Sequence, residues 1–219
     1  QQVAHPDEPW LWREDWRGRR VADDGLFWMA FFWLCAIVWN AISLPVAAYI
    51  LAQGWLRDTG MWLYAFGFPA AGVCLIWAAF YFGRRFVKFG RAWFLPDNLL
   101  YRLGGPLEGK IEVERGRYLT FPVTVGIANR HVRNVPKVFE PRETNIKVDV
   151  LWEGTPVTVD PRDFTRENRS VIIPVRLTLP VGGLGTDIRS GTNKVDWVLR
   201  ACSDVPGVDF DAEFEIPIF

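Results

Sequence analysis

Two long apolar segments constrain this chain more than any other feature. Leu26–Ala52 and Met61–Phe82 contain no Asp, Glu, Lys or Arg, and only the short polar stretch Gln53–Gly60 separates them. As helices they would span roughly 40 Å and 33 Å, more than the ~30 Å hydrocarbon core of a bilayer. A buried hairpin in a soluble protein is the alternative, but such helices usually carry one apolar stripe, and these segments are apolar all round. The sequence therefore predicts a transmembrane helical hairpin.

Charge and tryptophan content divide the chain into two parts of different character. The chain has 219 residues with 25 basic and 25 acidic side chains, and residues 1–93 contain ten of its twelve Trp. Residues 94–219 have the composition of an ordinary soluble domain. We therefore expect a polar and aromatic juxtamembrane segment over 1–24, a hairpin with an interfacial flank over 25–93, and a separate domain over 94–219. Because neither part is strongly basic, nucleic acid is not an expected partner.

Tryptophans cluster where the apolar segments would meet the polar edges of a bilayer. Indole rings favour the headgroup region, and neighbouring arginines can pair with lipid phosphates. The sequence therefore predicts a set of residues at the membrane interface, namely Trp10, Trp12, Trp16, Trp55, Trp62 and Trp93. For the residues before the first apolar segment, a plain juxtamembrane linker is the alternative.

Several residues inside the apolar segments are predicted to pack against the other helix or against a further subunit: Asn40, Pro45, Gly67, Ala71 and Gly72. The Asn40 amide needs a hydrogen-bond partner in hydrocarbon, and an interhelical bond is favoured over a role in a solute pathway because no charged residue accompanies it. Pro45 removes one backbone hydrogen bond and predicts a kink. Gly67 and Ala71 lie four residues apart and let helix backbones approach closely, although small residues are also common in membrane spans generally.

Basic residues flank the predicted hairpin unevenly. Eight of them, in Arg13–Arg20 and Arg84–Arg91, lie beyond the outer ends of the two apolar segments, and the connecting turn has only Arg57. Basic side chains favour the cytoplasmic side of a membrane. The sequence therefore predicts a multi-pass protein with the turn outside and the domain over 94–219 in the cytoplasm.

Beyond Gly104-Gly105-Pro106 the apolar residues recur with a period of two, which is typical of strands. The segments with this alternation are Lys110–Glu114, Asn145–Trp152, Ser170–Leu179, Lys194–Cys202 and Val208–Ile218. Tyr118–Ile127 is a longer apolar run, and Thr155–Val159 is a possible short strand that Pro156 would confine to an edge or a strand start. In Asn145–Trp152, four apolar residues are predicted to share one face. Polar or Gly-rich stretches over Arg130–Thr144 and Gly182–Thr192 predict long loops. About seven short strands with one-sided alternation predict an antiparallel β-sandwich of immunoglobulin-like type.

The residue patterns give no support for a catalytic, cofactor-binding or metal-binding site. Gly182-Gly183-Leu184-Gly185 invites interpretation as a phosphate loop, but no Gly-Lys-Ser/Thr follows, so a hairpin loop is expected. His131 lies in a basic stretch, and the three Cys have neither disulfide nor zinc spacing. The alternating carboxylates of Asp209–Glu215 fit an edge or solvent face better than a calcium site. We expect no enzyme activity, no cofactor and no metal.

Parts of the sequence also resemble a known group of proteins. They are HPDEPWLWREDWRGRR at residues 5–20, the pattern WN-x4-P at Trp39, Asn40 and Pro45, and the closing VDWVLRACSDVPGVDFDAEFEIPIF. Together they resemble the C-terminal half of a bacterial family of uncharacterised membrane proteins, known only as a domain of unknown function. The resemblance implies an inner-membrane location, no assigned catalytic residues, and a further N-terminal span with a small exported domain in a longer protein. Trp197–Arg200 and Phe214–Phe219 are similar to the last strands of arrestin-like sandwiches, a likeness of fold alone.

These observations favour a non-catalytic, membrane-anchored β-sandwich that acts as an interaction or scaffold module. The sandwich would dock a protein partner through a sheet edge or its loops. The expected partners are the lipid bilayer and either another protein or further copies of the chain in a homo-oligomer. The alternative is an accessory subunit of a larger membrane complex, whose aromatic helices pack on other subunits or on lipid. An enzyme or a transporter is disfavoured because the spans are uncharged and no catalytic set is recognisable.

Overall fold

A computed structural model describes residues 13–54, 60–98, 100–136, 144–190 and 193–219. The described residues form two compact units, one within residues 24–88 and the other within residues 13–23 and 89–219. The helices of the described residues are α1 at Glu14–Arg17, α2 at Gly25–Ala52 and α3 at Phe68–Phe89. A π-helical turn at Leu63–Gly67 leads directly into α3.

Helices α2 and α3 confirm the two predicted apolar helices. Both are long and apolar enough to span a membrane. The second continues past its predicted end at Phe82 as far as Phe89, because the basic residues that follow Gly83 are good helix formers. It ends at Gly90, whose φ of +70° is the left-handed conformation that commonly terminates helices.

Aromatic contacts show how the two long helices are paired. Phe32 on α2 stacks on Phe82 near the C-terminal end of α3, with ring centroids 4.8 Å apart. Further along α2, Trp39 Nε1 donates to the carbonyl oxygen of Phe68, the first residue of α3, at 2.8 Å. Residue numbers increase along α2 while the numbers of the α3 residues that they contact decrease. The two helices are therefore antiparallel and form a hairpin.

The second unit is a two-layer β structure. Its described strands are β1 Val21–Ala22, β2 Ala92–Pro96, β3 Pro106–Val113, β4 Val123–Pro136, β5 Thr144–Glu153, β6 Val157–Val159, β7 Thr165–Glu167, β8 Ser170–Thr178, β9 Asp187–Ser190, β10 Asn193–Ser203 and β11 Phe210–Ile216. One sheet has the order β1-β2-β3-β8-β7. The other has the order β11-β10-β4-β5, with β6 paired to β4 and β9 paired to β10. All these pairings are antiparallel, so the predicted antiparallel β-sandwich is confirmed.

Alternating apolar side chains from both sheets fill the space between them. In β3, β8 and β11, buried residues alternate with more exposed ones, as the sequence predicts. Phe94 on β2 and Phe214 on β11 are fully buried and meet across the core with ring centroids 6.3 Å apart. Trp197 on β10 is the largest side chain that is completely buried. Removal of this apolar surface from water drives the two sheets together.

The N-terminal residues that the structure describes belong to the sandwich and not to a separate juxtamembrane segment. Strand β1 pairs with β2, and Trp16 on α1 is only 3% exposed among the core residues. Strand β2 lies where an interfacial flank was expected, and its Phe94 is fully buried. The prediction failed because strands of two and five residues are too short to show a recognisable alternation.

Two predicted loops are wrong in part. Strand β4 runs on to Pro136 and pairs with β5, so the described portion of Arg130–Thr144 is mostly strand. Its side chains from 130 to 135 are partly or well exposed on both faces, and such a strand shows no apolar alternation. The Gly-rich stretch after Gly182 contains the short strand β9. Conversely, the strand predicted from Tyr118 begins only at Val123, after a 3-10 turn.

Candidate interaction surfaces

The two long helices present large apolar side chains outward. Only 22% of the most apolar 18-residue window of α2 is buried within the chain, and 17% of the corresponding window in Leu63–Phe89. Ile37 on α2 is 63% exposed, and Trp77 on α3 is 72% exposed. Exposure of this much apolar surface to water would cost on the order of 25 cal/mol per Å². Contiguous surfaces of this kind mark contact with lipid or with another protein.

Small residues line the contact between the two helices. The buried positions, several of them seven residues apart, are Ala36, Ser43, Ala47 and Ile50 in α2 and Ala65, Gly72 and Ala79 in Leu63–Phe89. Of the predicted packing residues, Gly72 lies in this contact, but Ala71 is exposed. A Cβ added at Gly67 would meet only Leu63 of its own helix. The exposed Pro45 lies outside the buried positions of α2. Pro45, Gly67 and Ala71 therefore do not line the buried contact between the two helices, and their packing against a further subunit stays a prediction.

Asn40 makes the interhelical hydrogen bond that the sequence predicts. Its Nδ2 donates to the carbonyl oxygen of Gly72 at 3.3 Å and to that of Ala36, one turn earlier in α2, at 2.8 Å. A Cβ at position 72 would overlap Asn40 Oδ1 and lie 2.9 Å from its Cγ. Glycine is therefore required there because the amide occupies the space that any side chain would need.

We expect Gly72→Ala to loosen the hairpin, because the new methyl group must displace the Asn40 amide. Overpacking of this kind costs about 1–3 kcal/mol. The measurement is the yield of a short bis-maleimide cross-link between cysteines placed at positions 32 and 82, in a background with the native cysteines replaced by serine. Gly67→Ala is the matched control, because the added Cβ would contact only the flexible end of Leu63. Equal yields in the two variants would contradict the packing described here.

Two of the predicted interface tryptophans are built into the sandwich. The buried Trp16 ring donates from Nε1 to the carbonyl oxygen of Glu215 at 2.9 Å, as indole groups do when they are removed from water. Trp93 on β2 is half-buried beneath the Arg20 guanidinium, whose carbon lies 4.0 Å from the ring centroid. The burial of Trp16 in the sandwich corrects its interface assignment, whereas that of the half-buried Trp93 stays a prediction. The other predicted interface residues are Trp62, which is exposed, and Trp10, Trp12 and Trp55, which lie outside the described residues.

A ladder of alternating charges crosses the outer face of the six-stranded sheet. In spatial order, the members of this charge ladder are Arg13, Glu215, Lys194, Asp196, Arg130, Glu213, Arg200 and Asp211. Lys194 Nζ lies 3.0 Å from a carboxylate oxygen of Glu215 and 3.0 Å from one of Asp196. At the other end, Arg200 Nε lies 2.8 Å from Asp211 Oδ1. Positive and negative members are equal in number, so the ladder offers no net charge to an ionic ligand.

The charge ladder attaches the N-terminal residues to the sandwich. Arg13 pairs with Glu215 and stacks 4.9 Å above the Trp16 ring. In the middle of the ladder, the Asp196 carboxylate is only 1% exposed and accepts from Arg130 Nε at 3.1 Å. Sequence reasoning missed this arrangement because its members come from distant parts of the chain. The alternating carboxylates of Asp209–Glu215 were the one visible signal.

Glu215 is a member of the ladder whose ionisation depends on the fold. Burial alone would raise the pKa of its carboxyl group. The nearby charges of Arg13 and Lys194, and the hydrogen bonds that these residues donate, outweigh burial and hold the pKa below its ordinary value of 4.5. Because the folded pKa lies below the unfolded one, ionised Glu215 stabilises the fold above about pH 4.5, and this contribution is lost as the pH falls through the folded pKa.

We therefore expect Glu215→Gln to lower the melting temperature of the sandwich at neutral pH and to lose this effect in acid. The difference between wild type and variant should shrink as the pH falls below about 4.5, where the wild-type carboxyl group also becomes neutral. Glu167→Gln, at an exposed position of β7 outside the ladder, is the control and should show a much smaller difference. A wild-type-to-variant difference that does not change with pH would show that Glu215 acts through shape and not through charge.

A shallow cleft of about 320 Å³ lies on the same face of the sheet, over the small residues Gly126 and Ala128. Its basic lining residues, Arg130 and Arg200, are members of the charge ladder. Burial raises the pKa of the Cys202 thiol at its edge, and a neutral thiol is a poor nucleophile. The cleft therefore combines paired charges with an unactivated thiol, which suits contact better than catalysis.

The Gly182–Gly185 loop is anchored on the sandwich core. The carbonyl oxygen of Leu184 accepts from Asn129 Nδ2 at 2.8 Å and from Trp197 Nε1 at 3.0 Å. A phosphate-binding loop presents its N–H groups to an anion, whereas this loop is held through a carbonyl group. The arrangement supports its interpretation as a structural hairpin loop.

The other candidate chemical groups of the sequence have local partners. His131 lies on β4 and not in a loop, with Nε2 2.5 Å from Asn193 Oδ1. Asp209 Oδ1 accepts from the backbone N–H of Val205 at 3.2 Å, which is a turn contact. Within the part of the chain that the structure describes, no group of three or more His, Cys, Asp or Glu is placed to hold a metal ion.

Strand β5 exposes an apolar face that the sequence assigned to the core. A β-bulge changes the register between β4 and β5, so that Trp152 lies opposite Asn129 and Val150 lies opposite Arg130. Asn129 and Arg130 are neighbours on opposite faces of β4, so Trp152 packs on the core while Val150 points outward. The apolar residues on this outward face of β5 are Ile146, Val148 and Val150.

Comparison with known proteins assigns neither a family nor a function to the chain. No protein-family model matches the chain, and no curated protein matches it by sequence. Solved structures that it resembles include the crystal structure of Spo0M, a sporulation control protein from Bacillus subtilis, with a TM-score of 0.36 and 15% identity. The alignment covers 58% of this chain and 48% of Spo0M, so the matched region spans about half the length of that protein. The chain is thus similar to a solved protein over part of its length only.

Proposed function

We propose that this chain is a membrane-anchored β-sandwich that acts as an interaction module and has no catalytic activity of its own. The observation that carries the proposal is the outward apolar surface of α2 and α3, in which the side chains of Ile37 and Trp77 are 63% and 72% exposed. The hydrocarbon core of a bilayer would surround these side chains, so their apolar area would not be exposed to water. The sandwich folds around its own core, so the helices are available as an anchor.

The proposed location is a bacterial inner membrane with both helices spanning it. The basic residues in Arg13–Arg20 and Arg84–Arg91 favour the cytoplasmic side, which would place the sandwich in the cytoplasm and the turn at 53–60 outside. Maleimide labelling of a cysteine introduced in that turn tests the orientation. Labelling of intact cells by an impermeant reagent supports it, and labelling only after the cells are opened contradicts it.

A second candidate is an accessory subunit of a larger membrane complex. The exposed aromatic side chains of the helices, such as Trp77, favour it because aromatic residues are enriched where proteins meet. Extraction in mild detergent followed by native mass measurement separates the two candidates. A single protomer or a homo-oligomer supports the interaction module, and a stable complex with other subunits in fixed ratio supports the accessory subunit.

A further inference from the structure

Strand β5 is the edge of its sheet over its full ten residues. On one side it pairs with β4, and in the described parts of the chain no strand pairs with its other side. A long edge strand offers a row of backbone donors and acceptors to any strand that can align with it. Natural edges are commonly protected by proline, short length, charged side chains or bulges. β5 is long and has no proline, its bulge lies near its C-terminal end, and the charge of Lys147 is paired with Asp149 of the same strand.

The two faces of β5 have opposite chemical character. Ile146 is 73% exposed, and Val148 and Val150 beside it are also well exposed on the same face. The other face carries Lys147 and Asp149, whose charged atoms lie 3.0 Å apart. A partner strand that extends the sheet must therefore offer β-branched apolar residues on one face and complementary charges on the other.

β5 is complementary to a second copy of itself in an antiparallel pair. In an antiparallel pair centred on Val148, Lys147 of each copy lies opposite Asp149 of the other, and Ile146 lies opposite Val150. Registers centred on Lys147 or on Asp149 place like charges directly opposite each other, which is destabilising. A register in which odd-numbered residues of one strand lie opposite even-numbered residues of the other would place charged side chains opposite apolar ones.

We propose that β5 is the interface of a homodimer, in which the β5 edges of two chains pair antiparallel about a twofold axis at Val148. The two sheets then form one continuous sheet, and the apolar residues of both β5 strands form a single surface. This proposal deepens the proposed function, because it names a second copy of the chain as the partner of the interaction module. Twofold symmetric, self-complementary contacts are the commonest form of protein self-association.

The first test is disulfide formation by full-length chains in membranes, with Cys35, Cys74 and Cys202 replaced by serine. In the proposed register, Val148→Cys places two Cβ atoms directly opposite each other, about 5 Å apart, which mild oxidation can bridge. Ile146→Cys is the matched control, because its two copies would lie roughly 13 Å apart along the strands. We expect about tenfold more cross-linked dimer from Val148→Cys than from Ile146→Cys. Equal yields, no yield, or a disulfide to a different protein would each overturn the proposal.

The second test keeps the native cysteines and uses charge reversal. Lys147→Glu alone or Asp149→Lys alone places like charges opposite each other twice in a homodimer, and we expect roughly tenfold weaker self-association in detergent. When the two variants are mixed with different tags, every cross-strand pair is again of opposite charge, so the mixed dimer should recover. The pairing of Lys147 with Asp149 inside one strand remains broken in both chains, so recovery can come only from contact between chains. Failure of the mixed dimer to recover would overturn the proposed register.

Both tests distinguish failure of the dimer from failure of the anchor. If the chain is found in membranes but neither test detects the β5 contact, the dimer is wrong and the anchor stands. If the chain is found in the aqueous fraction and Val148→Cys still cross-links, the anchor is wrong and the β5 dimer stands.

Discussion

Trp197→Ala is expected to destabilise the sandwich by about 3–5 kcal/mol, a large part of the 5–15 kcal/mol that stabilises a typical domain. The ring is completely buried on β10 and packs against Trp152 with centroids 5.7 Å apart. Its Nε1 also donates to the Leu184 carbonyl, which holds the Gly-rich loop on the core. The substitution therefore leaves a cavity and removes an anchor of that loop.

The measurement is the temperature at which the sandwich unfolds in detergent, and the onset of proteolysis reports that unfolding. Trp77→Ala is the matched control, because it makes the same substitution at a ring that is 72% exposed on α3, in the other compact unit. It should leave the unfolding of the sandwich unchanged. Trp197→Phe keeps most of the ring and loses the hydrogen bond, so we expect an intermediate effect. Similar unfolding of the Trp197→Ala variant and the wild type would contradict the core described here.

Ile37→Lys is expected to impair membrane insertion of α2, because a lysine at the centre of a spanning helix costs about 2.5–3.5 kcal/mol. That cost corresponds to a shift on the order of a hundredfold in the insertion equilibrium. Ile37 lies near the middle of Gly25–Ala52 and points away from the other helix, with 63% of its surface exposed. A lysine there would have no partner in the described residues and would face lipid.

The measurement is the fraction of chain that resists alkaline extraction from membranes. Val181→Lys is the control, because Val181 is among the most exposed apolar residues of the sandwich and its replacement should leave insertion unchanged. For a helix on the surface of a soluble protein, replacing an exposed isoleucine with lysine would be neutral or would improve solubility. If Ile37→Lys yields a dispersed, folded protein in water, α2 does not lie in lipid.

The helices and the long strands were predictable because their patterns are local. An apolar run longer than a bilayer is thick indicates a helix whatever its neighbours are, and α2 lies within one residue of its predicted bounds. Strands with one buried face, such as β8 and β11, show the alternation that burial imposes. The hydrogen bond between Asn40 and the other helix was likewise predictable, since an amide in an apolar helix needs a hydrogen-bond partner and the neighbouring helix can provide one.

The rest could not be predicted because it depends on contacts between distant residues. Strand β1 exists only because β2, some seventy residues later, lies beside it. Trp16 resembles an interface tryptophan in sequence. In the structure its ring is buried in the sandwich, where Nε1 donates to the carbonyl oxygen of Glu215, a residue about two hundred positions away. The exposed face of β5 results from one bulge opposite Asn129 and Arg130, which reverses the faces of every residue beyond it. The charge ladder was equally invisible, since its two ends lie in the first and last parts of the chain.

The most direct test of the account is the partition of the native chain between membrane and water. We predict that the protein floats with lipid vesicles, stays with them through high-salt and alkaline washes, and is released only by detergent. Those results follow if lipid covers the exposed faces of α2 and α3. Recovery of the folded chain as a dispersed monomer in detergent-free buffer would contradict the membrane anchor and the function proposed from it.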